Sequence, residues 1–137
     1  MKAWIKFFIA PIITLAFVSC DSKNDGDIQS ISAKKIDSIK IVKDTMAISS
    51  IQDIKVFASY TKNCEGFYGR DYIPQDSVRT VINYAYKTNE VCGSESYPAF
   101  DIIRFEPRKV GKYYFKFWNG KDAAGQSLWI EKQIVVQ

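Results

Sequence analysis

The chain has 137 residues, of which 47% are hydrophobic and 25% are charged, with 19 basic side chains against 15 acidic ones. A net charge of +4 is typical of a solvated surface and excludes the dense basic footprint of a nucleic-acid-binding protein. Because the chain contains no histidine, Ser-His-Asp and Cys-His nucleophiles, histidine general bases and histidine metal sites are all excluded.

The first twenty residues have the pattern of an export signal. Two lysines precede an apolar run from residue 7 to residue 18, which contains a proline and is shorter than the roughly 20 residues of a membrane-spanning helix. The small residue Ser19 precedes Cys20, so cleavage between them would leave Cys20 as the new N-terminus. Removal of the signal peptide, residues 1–19, would take the two lysines away and leave 17 basic against 15 acidic side chains.

The segment Phe17-Val18-Ser19-Cys20 resembles the lipobox of bacterial lipoproteins, in which a small residue precedes an invariant cysteine. Phe17 stands in place of the usual leucine, a variation familiar among Bacteroidota-type lipoproteins. The resemblance implies a diacylglycerol on the Cys20 thiol, a further acyl chain on its amine, and anchoring in a membrane of the cell envelope, with the outer membrane favoured. Two or more long chains give stable anchoring, because each buried methylene contributes about 0.8 kcal/mol. The alternative is an ordinary secretory signal followed by an unmodified cysteine.

Residues 20–35 are predicted to be the lipidated cysteine and a flexible tether. Asp, Ser, Lys, Asn and Gly dominate residues 21–32, which have little apolar surface to bury. The acidic residues resemble a surface-export signal of Bacteroidota, whereas aspartate directly after the cysteine resembles an inner-membrane retention signal of enteric bacteria. These two resemblances leave open which membrane and which face carry the protein. The domain itself is predicted to span residues 36–137.

Lipidation of Cys20 would leave Cys64 and Cys92 as an even pair. In an oxidising compartment a disulfide is the simplest account of such a pair. On the chain-entropy model it would stabilise the fold by about 3 to 4 kcal/mol. A metal site is the alternative, but two thiols this far apart in a chain without histidine lack the usual zinc spacing. We therefore expect no metal and no cofactor.

The rest of the chain alternates between apolar and polar residues with a period of two, which predicts strands. Seven strands are predicted, at residues 39–43, 54–60, 67–73, 78–86, 100–105, 112–118 and 128–136. The third is the weakest, because Gly69 interrupts its aromatic-rich sequence. A polar stretch over residues 87–98 is long enough to cross between two sheets.

About seven short strands without any sustained helical period predict an all-β fold, an antiparallel β-sandwich. A closed barrel is the runner-up. Residues 107–117, with the sequence Pro-Arg-Lys-Val-Gly-Lys-Tyr-Tyr-Phe-Lys-Phe, resemble the loop and penultimate strand of immunoglobulin-like domains, where glycine precedes a corner tyrosine. The resemblance implies that the Tyr113 hydroxyl bonds back to the backbone and that Phe115 occupies the place of the second cysteine of an antibody domain. The chain has no Cys-Trp-Cys core, so the resemblance concerns architecture and not kinship.

Chemical motifs are few, and no catalytic residue is predicted. The seven glycines occur singly, without a phosphate-binding loop, and no EF-hand pattern is present. Two pairs of carboxylates, Glu65 with Asp71 and Asp101 with Glu106, leave open a glycan hydrolase or an accessory domain of one. Acids scattered over strand edges and turns are more often solvated partners of lysine.

Four aromatic residues in the weaker strands and loops form the predicted binding patch: Phe67, Tyr68, Tyr72 and Tyr97. They flank the predicted bridge, and exposed rings on a sandwich can stack on sugars or anchor a protein partner. We therefore expect a lipid-anchored, non-catalytic envelope module that binds a protein or a glycan. A carboxylate enzyme and a structural spacer are the alternatives.

Overall fold

The computed structural model describes residues 26–137, so the predicted signal peptide, Cys20 and the first part of the predicted tether lie outside the described residues. This part of the chain contains nine strands and no helix. The strands are β1 (Ile28–Lys34), β2 (Ser38–Lys40), β3 (Thr45–Met46), β4 (Gln52–Thr61), β5 (Glu65–Gln75), β6 (Val78–Thr88), β7 (Ser96–Phe105), β8 (Gly111–Lys121) and β9 (Ser127–Val136). Residues 26–137 accordingly offer no long apolar helix of the kind that crosses a membrane.

The strands form two sheets. The larger sheet has six strands, in the order β1-β6-β8-β9-β3 with β5 also paired to β6, and the smaller sheet has the order β2-β4-β7. Along β6, residues 78–81 pair with β8 and residues 83–88 pair with β1. Since β5 pairs along almost the whole of β6, we place it on the opposite edge from β1 and β8.

The hydrophobic core lies between the two sheets. Alternate residues of the central strands are fully buried, as the period-two pattern predicts. The centroids of the Phe105 ring from the smaller sheet and the Phe115 ring from the larger sheet are 5.0 Å apart, with the ring planes perpendicular. The principal core side chains are Ile54, Val56, Val81, Ile103, Phe105, Phe115, Phe117 and Ile134.

The all-β, two-sheet architecture of the sequence prediction is confirmed, but the strand count of about seven is too low. Two of the strand pairs, β6 with β8 and β3 with β9, are parallel. The sheets of an immunoglobulin sandwich are antiparallel. Because two pairs here are parallel, the topology does not establish the finer, immunoglobulin-like assignment. The polar loop predicted to cross between sheets does so, because β6 lies in the larger sheet and β7 in the smaller.

Strand β1 lies within the segment predicted to be tether. Residues 28–34 pair antiparallel with β6, so the folded domain begins before residue 36. Six of the seven side chains of β1 are exposed. The strand is held mainly by its main-chain hydrogen bonds, and for that reason its sequence lacks the alternation that reveals a half-buried strand.

The strand predicted over residues 39–43 ends earlier than expected. Pairing of β2 ends at Lys40, and the chain then crosses to the larger sheet, where β3 begins at Thr45. Between them, the buried Gln52 amide accepts a hydrogen bond from Lys43 N at 2.7 Å and donates one to Lys43 O at 2.9 Å. A side chain thus replaces the strand partner of Lys43 at the crossing.

Cys64 and Cys92 form the predicted disulfide, with an S–S distance of 2.05 Å. The bridge joins the β4–β5 connection to the β6–β7 loop. Cys64 is completely buried. The bond therefore fixes the loop that crosses between the sheets to the start of β5.

The sandwich has two distinct ends. At the tether end, where the N-terminal segment enters, Ile28 of β1 pairs with Thr88 and Asn89 N donates to Asp27 O at 3.2 Å. The disulfide lies at this end. At the opposite end, which we call the far end, lie the β5–β6 turn and the β7–β8 loop. The 11 residues of β6 join the two ends, a span of about 35 Å at roughly 3.3 Å per residue.

Candidate functional site

A cleft of about 540 Å³ opens at the far end of the sandwich. The β5–β6 turn, the end of β7 and the β7–β8 loop form it. Two tyrosines, Tyr72 and Tyr113, contribute to its walls. Its ionisable residues are four basic side chains, Arg79, Arg104, Arg108 and Lys109, and two acidic ones, Asp76 and Glu106.

Hydrogen bonds hold the β7–β8 loop in place. The Tyr113 hydroxyl donates to Lys109 O at 2.9 Å, the backbone bond that the sequence resemblance predicts. Tyr113 is 8% exposed, and its ring packs edge to face with the Phe105 ring at a centroid distance of 5.1 Å. On the other side of the loop, Ser49 N donates to Pro107 O at 2.9 Å. The loop therefore presents its charged side chains from a fixed backbone.

Arg79 is fixed at the wall of the cleft. Its Nη1 donates to Asp76 O at 2.7 Å and to Val78 O at 3.0 Å, and the guanidinium carbon lies 5.1 Å from the centroid of the Tyr113 ring. Burial raises the pKa of Tyr72, while the charge of Arg79 and a hydrogen bond from it lower that pKa in part. Arg79 thus touches backbone and aromatic groups on several sides.

The cleft has a surplus of positive charge, because four basic and two acidic side chains line it. Arg104 Nε lies 3.2 Å from Asp53 Oδ1, so one of the four cations has a carboxylate partner. Arg79, Arg108 and Lys109 form no ion pair with any acid of residues 26–137. With Asp53 counted, one positive charge of the cleft remains in excess, and an anionic group of a ligand can complement it.

A second cleft, of about 360 Å³, lies at the tether end beside the disulfide. Glu65 on its wall accepts hydrogen bonds from Lys34 Nζ and from Thr61 N, both at 2.8 Å. The Lys34 ammonium also lies 5.2 Å from the centroid of the buried Tyr60 ring. Since Lys34 belongs to β1 and Glu65 to β5, this ion pair fastens the first strand to the rest of the sandwich.

Replacing Glu65 by glutamine should lower the free energy of unfolding at pH 7 by about 1 to 2 kcal/mol, between the values of exposed and buried ion pairs. Desolvation raises the pKa of Glu65, but the hydrogen bonds from Lys34 and Thr61 and the Lys34 charge outweigh it and hold the pKa below 4.5. The stabilisation is therefore complete above about pH 4.5 and is lost as the pH falls through the lowered pKa. Urea unfolding between pH 7 and pH 3 should show that the free energies of unfolding of the wild-type protein and the Glu65→Gln variant become equal in acid.

Glu95→Gln is the matched control, because Glu95 also pairs with a lysine, Lys62, at 3.3 Å, but its side chain is 75% exposed. This change should cost less than about 0.5 kcal/mol. Equal losses in the E65Q and E95Q variants would contradict the role given to the Lys34–Glu65 pair.

The predicted aromatic patch is divided between the two ends. Tyr97 lies at the tether end, where its hydroxyl donates to Glu65 O at 3.2 Å. Phe67 and Tyr68 are exposed near the start of β5, at a bulge in its pairing with β6. Tyr72 lies further along β5 and lines the far-end cleft, so the prediction that it flanks the disulfide is wrong. Seven residues of strand carry it about 23 Å from Glu65.

A different apolar surface lies on the outside of the smaller sheet, where Phe100 and Ile102 are exposed and Phe57 is half-buried. Phe57 and Phe100 are cross-strand partners with ring centroids 5.8 Å apart, and Ile102 extends the surface along β7. The Lys55 ammonium lies 4.7 Å from the Phe100 centroid. One signal in the sequence could have revealed this surface: Phe57 falls between Lys55 and Ser59 on the polar side of an alternating strand.

Neither carboxylate pair considered for catalysis lies in one of these two clefts as a pair. Glu65 is bound to Lys34, whereas Asp71 accepts a hydrogen bond from the Tyr84 hydroxyl at 2.8 Å. Asp101 forms an ion pair with Arg70 that joins β7 to β5, and Glu106 lines the far-end cleft. Over residues 26–137, no three His, Cys, Asp or Glu side chains are grouped as metal ligands.

Comparison with known proteins identifies no similar protein. No protein-family model, no curated protein and no solved structure matches the chain. What can be inferred about function therefore comes from the N-terminal sequence and from the positions of the two clefts.

Proposed function

We propose that the protein is a lipid-anchored binding module of the bacterial cell envelope that engages a protein or glycan partner at the far end of its sandwich. The observation that carries the proposal is the placement of the tether and the far-end cleft at opposite ends of the domain. Eight residue steps separate Cys20 from Ile28, which allows at most about 28 Å of extended chain. The sandwich adds its own length, so the cleft faces away from the membrane.

Two features support export and anchoring. The lipobox resemblance ends at Cys20, and the folded domain begins only a few residues later. The Cys64–Cys92 bond is the kind of covalent link that persists in the periplasm or at the cell surface and is rare in the cytosol. Both features favour a domain that works outside the cytoplasm.

Replacing Cys20 by serine should abolish incorporation of labelled palmitate and release the protein from the membrane fraction, because no thiol remains to accept diacylglycerol. Ser19→Ala keeps a small residue before the cleavage site and should leave labelling unchanged. Palmitate labelling of the S19A control without labelling of the C20S variant is the expected result. Equal labelling of both variants would contradict anchoring at Cys20.

Binding at the far end is tested by photocrosslinking in intact cells. A photoreactive residue at position 106, in the far-end cleft, should capture the same envelope component in repeated experiments. The matched position is 90, beside the tether-end cleft, where no reproducible capture is expected. Random neighbours at position 106, or identical products at both positions, would contradict the proposed orientation.

A further inference from the structure

We infer that the far-end cleft is a binding site for an oxyanion, a carboxylate, sulfate or phosphate group carried by the ligand, held by Arg79, Arg108 and Lys109. The inference rests on the proposed function, since it names the ligand chemistry of the proposed binding end.

Arg79 supplies a preorganised donor. A guanidinium has five N–H donors; the hydrogen bonds to Asp76 O and Val78 O occupy Nη1, and Tyr72 takes a further hydrogen bond from the guanidinium. The Nε and Nη2 side has the fork geometry that matches the two oxygens of a carboxylate or phosphate. No acid of residues 26–137 is paired with this guanidinium. Its contacts with the β5–β6 turn and with the Tyr113 ring fix its orientation before a ligand arrives.

Arg108 and Lys109 line the same cleft from a loop of fixed backbone. The bonds from Tyr113 to Lys109 O and from Ser49 to Pro107 O hold that loop without using either charged side chain. Their substitution therefore removes charge from the cleft while leaving the hydrogen bonds that shape it. The side chains still have to become ordered around the anion, which limits the affinity for a small ion.

Glu106 allows a test in which a substitution is expected to strengthen anion binding. It lines the same cleft and pairs with no cation of residues 26–137 within ion-pair distance. A negative charge close to a bound anion opposes binding, so removing it should strengthen the site. A general loss of structure would weaken anion binding in every variant. It would not make the Glu106 variant bind more tightly while the Arg108 and Lys109 variant binds more weakly.

The test is an NMR titration of the mature protein, residues 20–137, carrying Cys20→Ser so that it stays in solution. The probes are sodium phosphate and sodium glucuronate, added at constant ionic strength against sodium chloride. Saturable shifts are expected at Arg79 Nε–Hε and at the backbone amides of residues 106–110. Tighter binding of glucuronate points to a carboxylate-bearing ligand, and tighter binding of phosphate points to a phosphorylated one.

The R108Q/K109Q double variant should weaken the binding of the better probe by about tenfold, the scale of one lost charge-assisted contact. Lys121→Gln/Lys132→Gln removes two exposed lysines elsewhere and should leave the affinity unchanged. Glu106→Gln should tighten binding about twofold to threefold. Thermal melts check that each variant remains folded.

Shifts that fail to saturate with both probes, or an R108Q/K109Q affinity equal to that of the control double variant, would overturn the oxyanion site. This outcome is separate from the fate of the anchor, because the titrated protein carries no lipid. If the wild-type protein incorporated no palmitate at Cys20, a positive titration would still support the oxyanion site. If the titration failed, palmitate labelling of the wild-type protein would still support anchoring at Cys20.

Discussion

Replacing both bridged cysteines by alanine should lower the free energy of unfolding by about 3 to 4 kcal/mol and the melting temperature by about 15 °C. The bond joins residues 28 positions apart, so its loss enlarges the conformational freedom of the unfolded chain. It also frees the loop that crosses between the sheets from the start of β5. Urea unfolding at pH 7, with the midpoint and slope compared between proteins, measures the effect.

Reduction of the wild-type protein with dithiothreitol is the internal control for this double variant. It breaks the same link without changing the side-chain volume at the buried Cys64. We expect the reduced protein and the C64A/C92A variant to lose similar stability. A loss below about 1 kcal/mol in both would show that the bridge contributes little to the fold.

Phe115→Ala should lower the free energy of unfolding by about 3 to 5 kcal/mol. Phe115 is completely buried and contacts both Phe105 across the sandwich and Phe117 along its own strand. Truncation would leave a cavity where the two sheets meet, because neighbouring side chains relax only partly into the space. Chemical denaturation of the purified domain gives the free energy directly.

Tyr114→Ala is the matched control, since Tyr114 is the next residue of β8 but points outward and is 43% exposed. Its truncation should cost less than about 1 kcal/mol. Similar losses at the two positions would mean that the inward and outward faces of β8 are wrongly assigned.

The central strands could be predicted from sequence because burial imposes alternation. In β6, residues 81, 83 and 85 face the core while their neighbours do not, which produces the period of two. Strands β4 and β8 follow the same rule, and β9 does so at Ile134 and Val136. The corner tyrosine was also predictable, since glycine and tyrosine at that spacing form a local motif whose hydrogen bond spans four residues.

Strands held mainly by backbone pairing could not be predicted in this way. β1 exposes almost all of its side chains, and the two parallel pairings join segments far apart in sequence. No residue pattern reports such non-local contacts, because main-chain hydrogen bonds do not depend on side-chain identity.

The far-end cleft was missed for a similar reason. Arg79, Arg104 and the Arg108–Lys109 pair belong to three separate segments, and only the return of β5 to β6 and of β7 to β8 brings them together. The sequence did single out residues 107–117 as the loop and strand of a tyrosine corner. The basic residues of that loop were a signal of the cleft, but their neighbours in space were unknown.

Whether Cys20 is the anchor is decided by the intact mass of the protein extracted from cell envelopes. We predict a chain that begins at Cys20, carries the mass of a diacylglycerol and an additional acyl chain, and lacks two hydrogens because of the Cys64–Cys92 bond. A chain that retains residues 1–19, or one that begins elsewhere with an unmodified Cys20, would contradict the proposed anchoring.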